Sequence, residues 1–188
     1  MGQEYAQIDE QMQRWIERQR MFFVATAPLA GDGLINCSPK GLDGLRVLGP
    51  KQLVYADLGG SGIETVAHLK ENGRIVIMLC AFEGPPKIFR FYGQGRAVEP
   101  QDTEFGEYEP LFPTLGRIRN FIVIDVERIR DACGYGVPNY AFQSERDSLP
   151  NWVDAKSAQE LHDYRVEKNA KSLDGLTGLD IEPATVGD

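Results

Sequence analysis

The sequence predicts an α+β fold in which a mainly antiparallel sheet curls into a barrel and helices cover its flanks. Three observations carry this reading. Runs of β-branched and aromatic residues bounded by glycine and proline turns give about six strands, and up to residue 126 helical segments number only two or three. Gly93 and Gly95 interrupt the longest strand, where a bulge or sharp coil would bend a small sheet closed.

In residues 3–20, Ile8, Met12, Trp15 and Ile16 recur at offsets of four, seven and eight, which draws one apolar stripe along a polar helix. The stripe is expected to cover one end of the barrel. Residues 21–27 read as a strand ending before Pro28, and Ala30-Gly31-Asp32-Gly33 turns the chain back into residues 34–37 as an antiparallel partner. Gly49-Pro50-Lys51 is the next turn, and residues 53–56 the next strand. Residues 63–72 form a helix with Ile63, Val66, Ala67 and Leu69 on one side, ended by Asn72-Gly73. The unbroken apolar run of residues 75–79 predicts a strand covered on both faces. Glu83-Gly84-Pro85-Pro86 forces a connection into a longer strand over 87–98, followed by a short helix at 102–108 and a closing strand at 121–126. Ser157 and Glu160 form a capping box that opens a helix running to about residue 170. The last ten or so residues, polar and acidic, are expected to be mobile.

At 188 residues, 42% hydrophobic and 26% charged, the chain can bury an ordinary core. Residues 1–150 are expected to form the barrel domain, N-terminal helix included, and residues 151–188 a helical extension with a tail. No apolar run approaches the ~20 residues needed to cross a bilayer. Met1-Gly2-Gln3-Glu4-Tyr5 lacks the basic-then-apolar layout of a leader, so a cytoplasmic location is expected. A net charge of −8 argues against nucleic acid, so a local cation such as Lys40 must serve something small. Cys37, Cys80 and Cys133 are too scattered for a disulfide framework or a C-x-x-C pair, and Cys80 reads as a small buried side chain. His68 and His162 have no ligand-spaced partners, so no metal site is expected. His68 is expected to lie on the helix face or to satisfy a local carbonyl.

Two segments bear chemistry. Asn36-Cys37-Ser38-Pro39-Lys40-Gly41 is followed by Val54-Tyr55-Ala56-Asp57, which runs into Leu58-Gly59-Gly60-Ser61-Gly62 and then a helix containing Thr65. Either segment alone reads as an ordinary turn. In one strand, turn, strand, turn, helix order they assemble what a phosphate monoester needs. Lys40 is a cation, Ser38, Ser61 and Thr65 carry hydroxyls, and a glycine turn opens a helix N-terminus. Glu64 beside them would cost affinity if it faced the phosphate. The candidate site is therefore Ser38, Pro39, Lys40, Gly41, Tyr55, Asp57, Ser61, Gly62 and Thr65.

These segments, with the strand at residues 21–27 and the block from Tyr55 through Ala67-His68-Leu69-Lys70-Glu71-Asn72-Gly73-Arg74, resemble the FMN-binding split β-barrel family typified by pyridoxamine 5′-phosphate oxidase. The likeness runs from about residue 21 to 126. It is nearest to a branch whose members also carry a segment like Cys133-Gly134-Tyr135-Gly136-Val137-Pro138. The resemblance implies FMN as cofactor, residues 1–150 as its domain, and a homodimer with the flavin at the interface. On that likeness Tyr135 belongs to a loop that reaches the partner's flavin. Arg90, on the strand face shared with Ile88 and Tyr92, reads equally as a cation that would stabilise the reduced ring near N1 and the C2 carbonyl or as the partner of a surface carboxylate.

The implied activity is FMN-dependent hydride transfer to or from a small substrate. The alternative is a non-catalytic flavin or haem binding or sensor module, and a deazaflavin is left open. No side chain is nominated as general acid or base. The chain lacks the adjacent basic residues that the named oxidase carries at the helix start, here Glu64-Thr65-Val66, and the Arg- and His-bearing motif that grips pyridoxal phosphate. Oxidation of vitamin B6 is therefore not expected.

Overall fold

The computed structural model describes residues 2–181. Its centre is one sheet, antiparallel at every pairing, built from β1 (Glu4–Tyr5), β2 (Phe22–Thr26), β3 (Asn36–Lys40), β4 (Leu45–Gly49), β5 (Gln52–Asp57), β6 (Arg74–Cys80), β7 (Ile88–Val98) and β8 (Asn120–Ala132). The helices are α1 (Glu10–Glu17), α2 (Glu64–Asn72), α3 (Phe105–Tyr108), α4 (Ser148–Asp154) and α5 (Ala158–Asn169). The antiparallel barrel with flanking helices is what the sequence predicts.

The strand order is β3-β2-β6-β7-β8-β5-β4, with β1 added on β8. Consecutive strands β3 and β4 thus sit at opposite edges. Flat, seven strands at ~4.8 Å spacing would set those edges roughly 29 Å apart, whereas the link from Lys40 to Leu45 reaches at most about 17 Å. The link is in fact a tight turn, with the Gly44 N–H donating to the Gly41 carbonyl at 3.2 Å. The sheet must therefore curl until its edges meet without pairing, which is a split barrel. Curling is helped by a bulge between Tyr92 and Gly93, where the register of β7 against β8 shifts.

Leu53, Tyr55, Ile77, Leu79, Phe91, Ile122 and Ile124 fill the barrel. Ile8, just before α1, and Met12 and Ile16 within it close one end, and Ile63, Val66 and Leu69 pack from the start and body of α2. A second cluster of Val54, Val98, Phe112, Phe121 and Val123 covers the outer face of β5 and β8. Those two strands, rather than residues 75–79, are the ones buried on both sides. β6 alternates buried and half-buried, because only one of its faces meets the core.

Several boundaries differ from the sequence reading. The first helix is shorter than residues 3–20, since Asp9 caps it through the Met12 N–H at 2.8 Å and Glu4–Tyr5 pair with β8 instead. Residues 34–37 are not the returning strand; it begins at Asn36 and carries Ser38, Pro39 and Lys40 within it. The short helix at 102–108 is reduced to α3, continued by a 3-10 turn at Glu109–Leu111. The closing strand extends to Ala132, and β1, β4 and α4 are additional. Gly73 ends α2 at φ 71°, and the Ser157–Glu160 capping box is present, both as expected. Of the tail expected to be mobile, residues 182–188 lie outside the described residues, while Leu179 within them is buried in the core.

Candidate functional site

The split in the barrel forms a cleft of about 280 Å³. β3 supplies one wall through Asn36, Ser38, Pro39 and Lys40, and the turn contributes Gly41 and Leu42. The other wall is the end of β5 at Asp57, the turn Leu58 to Gly62, the start of α2 at Glu64 and Thr65, and Arg119. Leu42 and Asp43 both adopt left-handed backbone, φ 58° and 55°, as a type I′ turn requires. A leucine held there costs on the order of 1 kcal/mol, so the turn that joins the two walls stores strain.

Asp57 ties the walls together. Lys40 reaches across the split to place Nζ 2.7 Å from Asp57 Oδ1, and Arg119 places Nη2 2.6 Å from Oδ2. Burial by itself would raise the Asp57 carboxyl, but the charges and hydrogen bonds of Arg119 and Lys40 outweigh it and lower its pKa from 3.8 to about 2. Because the folded value lies below the unfolded one, this stability is present above pH ~4 and is lost as pH falls towards 2, roughly 2 kcal/mol in all. Acid unfolding followed by circular dichroism is expected to show that loss in the native chain and to lack it in Asp57→Asn. Parallel acid profiles in the two proteins would contradict the assignment.

Arg119 also fixes the glycine turn. Its Nη1 donates to the carbonyls of Gly60 and Gly62, both at 2.9 Å. With the carbonyls drawn inward, the N–H groups of Gly60, Ser61 and Gly62 have no protein acceptor among the described residues. Asn169 of α5 holds the same turn from behind, donating to the carbonyls of Gly60 at 2.9 Å and Ser61 at 3.3 Å. Arg119 is only 3% exposed, and its Nε is a buried donor with no protein partner.

Asn36 sets the polarity of the hydroxyls. Its amide donates to Thr65 Oγ1 at 3.0 Å and to Thr26 Oγ1 at 3.1 Å, while its carbonyl accepts from Ser38 Oγ at 2.9 Å. Thr65 Oγ1 is thereby an acceptor towards Asn36, and its own proton is left for another partner, the buried Tyr55 hydroxyl or a group in the cleft. Ser38, expected as a donor, has its proton engaged and presents lone pairs. Behind this network His68 is fully buried with Nδ1 2.9 Å from Thr26 Oγ1, not on the helix surface or against a carbonyl. Burial lowers its pKa, against the opposing pull of Asp174, Glu64 and Glu71.

A larger groove of about 930 Å³ lies beyond Arg20, between α1, the β6–β7 connection and residues 140–144. Its walls are aromatic, with Trp15, Phe89, Tyr140 and Phe142, and it has neither the glycine turn nor the hydroxyl cluster. Among the described residues, no group of three or more His, Cys, Asp or Glu is placed to hold a metal ion, and no helix is long and apolar enough to cross a membrane.

Comparison with known proteins shows the family of the chain. A family profile described as pyridoxamine 5′-phosphate oxidase matches residues 8–133. The chain is 34% identical over 192 aligned positions to the pyridoxamine 5′-phosphate oxidase family protein ustO of Aspergillus flavus, covering 93% of this chain and 77% of that one. This chain belongs to the pyridoxamine 5′-phosphate oxidase family. Its fold matches the solved structure of HupZ from Group A Streptococcus at 22% identity with a TM-score of 0.55, over 71% of this chain and 99% of that one. A variant of the same HupZ gives 24% identity and a TM-score of 0.54, over 66% and 99%.

In this member of the family, the cleft brings together Ser38, Pro39, Lys40, Gly41, Asp57, Gly62 and Thr65. The other sequence candidates lie elsewhere. Tyr55 is fully buried beneath the cleft, its ring 6.0 Å from Lys40 Nζ. Burial, with Asp57 adding to it, pushes its phenol pKa well up. Ser61 is exposed and contributes its backbone only. Arg90 sits on the half-buried face of β7, paired with Met78 and Arg130, outside the cleft lining. Tyr135 is 82% exposed on the turn after β8. Arg119, Asn36 and Asn169 escaped the sequence reading as site residues. For Arg119 the signal was a basic residue just before an apolar strand, but its meaning depends on the pairing of Asn120 with Asp57, which places it beside that carboxylate.

Proposed function

We propose that the cleft seats the phosphorylated end of FMN and that the protein is a flavin-dependent oxidoreductase acting on a small organic substrate. The observation that carries this reading is the convergence of unspent donors on one small cavity. These are the Thr65 hydroxyl and the N–H groups of Gly60 and Gly62 in the lining, unpaired among the described residues, with Lys40 at the mouth and the Arg119 guanidinium behind the turn. That donor set fits a phosphate monoester, and membership of the family makes a flavin the apt bearer of it.

Lys40 neutralises charge at the mouth, Thr65 donates, and Arg119 keeps the glycine carbonyls turned away from the anion. Bound FMN would supply hydride acceptance and donation at its ring N5. The chain's part is to anchor and orient. In this reading the protein is a homodimer, and the exposed aromatics Tyr135, 82%, and Tyr140, 62%, are covered by the second copy and its flavin.

Lys40→Ala tests the seat. The side chain is 27% exposed and Asp57 keeps Arg119, so the variant is expected to fold. A charge-assisted hydrogen bond contributes ~1.5–3 kcal/mol, so FMN should bind roughly ten- to hundredfold more weakly, with riboflavin unaffected. Fluorescence titration of both ligands reads this directly. Equal FMN affinity in the two proteins would remove Lys40 from the seat.

A further inference from the structure

We infer that Glu64 is a specificity-determining residue whose carboxylate occupies the anion seat at the N-terminus of α2, so that the cleft holds a dianionic phosphate monoester less tightly than its donors alone would. The inference rests on the flavin reading of the cleft.

Helix α2 starts at Glu64, and its N-cap residue, Ile63, offers no side chain to the free N–H groups of the first turn. Glu64 takes up the N–H of the N-cap residue instead, leaving those of the first turn without a side-chain acceptor among the described residues. Its Oε2 accepts the Ile63 N–H at 3.0 Å and its Oε1 accepts the Leu173 N–H at 3.4 Å. The carboxylate lies against the glycine turn, since a Cβ built on Gly62 would come 3.1 Å from Oε2. That is where an oxygen of a bound anion would meet the turn and the helix start. Arg119 of the same lining is almost fully buried, its Nη atoms committed to Asp57 and the glycine turn and its Nε without a protein partner among the described residues.

Charge decides the consequence. Lys40 and Arg119 line the cleft against Asp57 and Glu64, two positive charges and two negative, so the lining is formally neutral. Arg165 is near enough to Arg119 for their charges to oppose but does not line the cavity. A phosphate dianion entering a neutral lining meets one carboxylate already tied to Arg119 and Lys40 and a second, Glu64, at the helix start. To admit it, Glu64 must turn out, giving up Ile63 and Leu173. An uncharged flavin tail carries no such cost. The cleft therefore discriminates weakly between phosphorylated and unphosphorylated flavin, and Glu64 sets that ratio.

The test is Glu64→Gln, which keeps an acceptor for the Ile63 N–H and removes the charge. Calorimetric titration with FMN, riboflavin and inorganic phosphate, together with melting temperatures in phosphate, is expected to show FMN tightened about tenfold, riboflavin unchanged, and phosphate stabilising the variant more than the native protein. Equal FMN affinity and equal phosphate response in the two proteins would overturn the inference while leaving the flavin reading intact. If neither protein binds flavin but phosphate still favours the variant, the flavin reading falls and the role of Glu64 stands. If neither flavin nor phosphate binds either protein, both fall. Should the Gln variant fail to fold, the native protein's FMN-to-riboflavin affinity ratio decides the matter. A ratio below about ten supports the inference and one above about a thousand overturns it.

Discussion

Replacing Arg119 with alanine is expected to destabilise the fold by about 3–5 kcal/mol. The substitution does more than delete an ion pair. It leaves the carboxylate of Asp57, 1% exposed, with Lys40 as its sole remaining cation, and strips the carbonyls of Gly60 and Gly62 of their donor. A buried charge that loses its partner costs several kcal/mol, and each orphaned carbonyl adds to that. Because the same guanidinium holds the glycine turn open, FMN binding should fall with stability. Denaturant unfolding measures the first effect. The double variant Arg119→Met with Asp57→Asn separates the causes, since removing both charges should recover much of the stability but not the cofactor. A loss below about 1 kcal/mol for Arg119→Ala would mean that water, rather than Arg119, satisfies Asp57.

Gly93→Ala is the second large effect, expected to cost at least about 3 kcal/mol or to prevent folding. A methyl group at that position would overlap the carbonyl oxygen of Asp125 on the facing strand, and backbone cannot rotate away as a side chain can. The overlap falls at the bulge, the point where the register between β7 and β8 shifts. These two strands share the most extensive pairing in the sheet, running from Ile88 to Val98, so pushing them apart flattens the curl that brings Lys40 to Asp57. Thermal unfolding and FMN titration should deteriorate together. Gly95→Ala is the useful contrast, because its added methyl would meet side-chain atoms of Leu69 and Ile75, which can shift. A stable, flavin-binding Gly93→Ala protein would show that the bulge does not set the barrel's curvature.

How much of this was readable beforehand depended on whether a feature is local. The capping box, the left-handed Gly73 and the glycine bulge are written in a few adjacent residues and appear where the sequence puts them. Ser38-Pro39-Lys40 reads as a bend because proline lacks an N–H, yet it lies in β3, an edge strand that pairs only with β2, where that missing donor matters less. Helix α4 is hidden in the same way. Pro150 sits in its first turn, which tolerates proline although the pattern suggests a break. The site was half legible. Lys40, Gly62 and Thr65 announce themselves by residue type beside a glycine turn, whereas Arg119 and Asn169 reach that turn from distant parts of the chain through sheet register and helix docking. Tyr135 came from family likeness and Arg90 from strand alternation, and neither lines the cleft within one chain.

The central claim is that the cleft between β3 and the end of β5 is a phosphate seat for flavin. A crystal structure of the protein soaked with FMN tests it most directly. The claim predicts the phosphorus among Lys40, Thr65, Arg119 and the glycine turn, with the Glu64 carboxylate displaced from Ile63. Phosphate density in the aromatic groove beside α1, with the cleft still closed by Lys40 and Asp57, would contradict it.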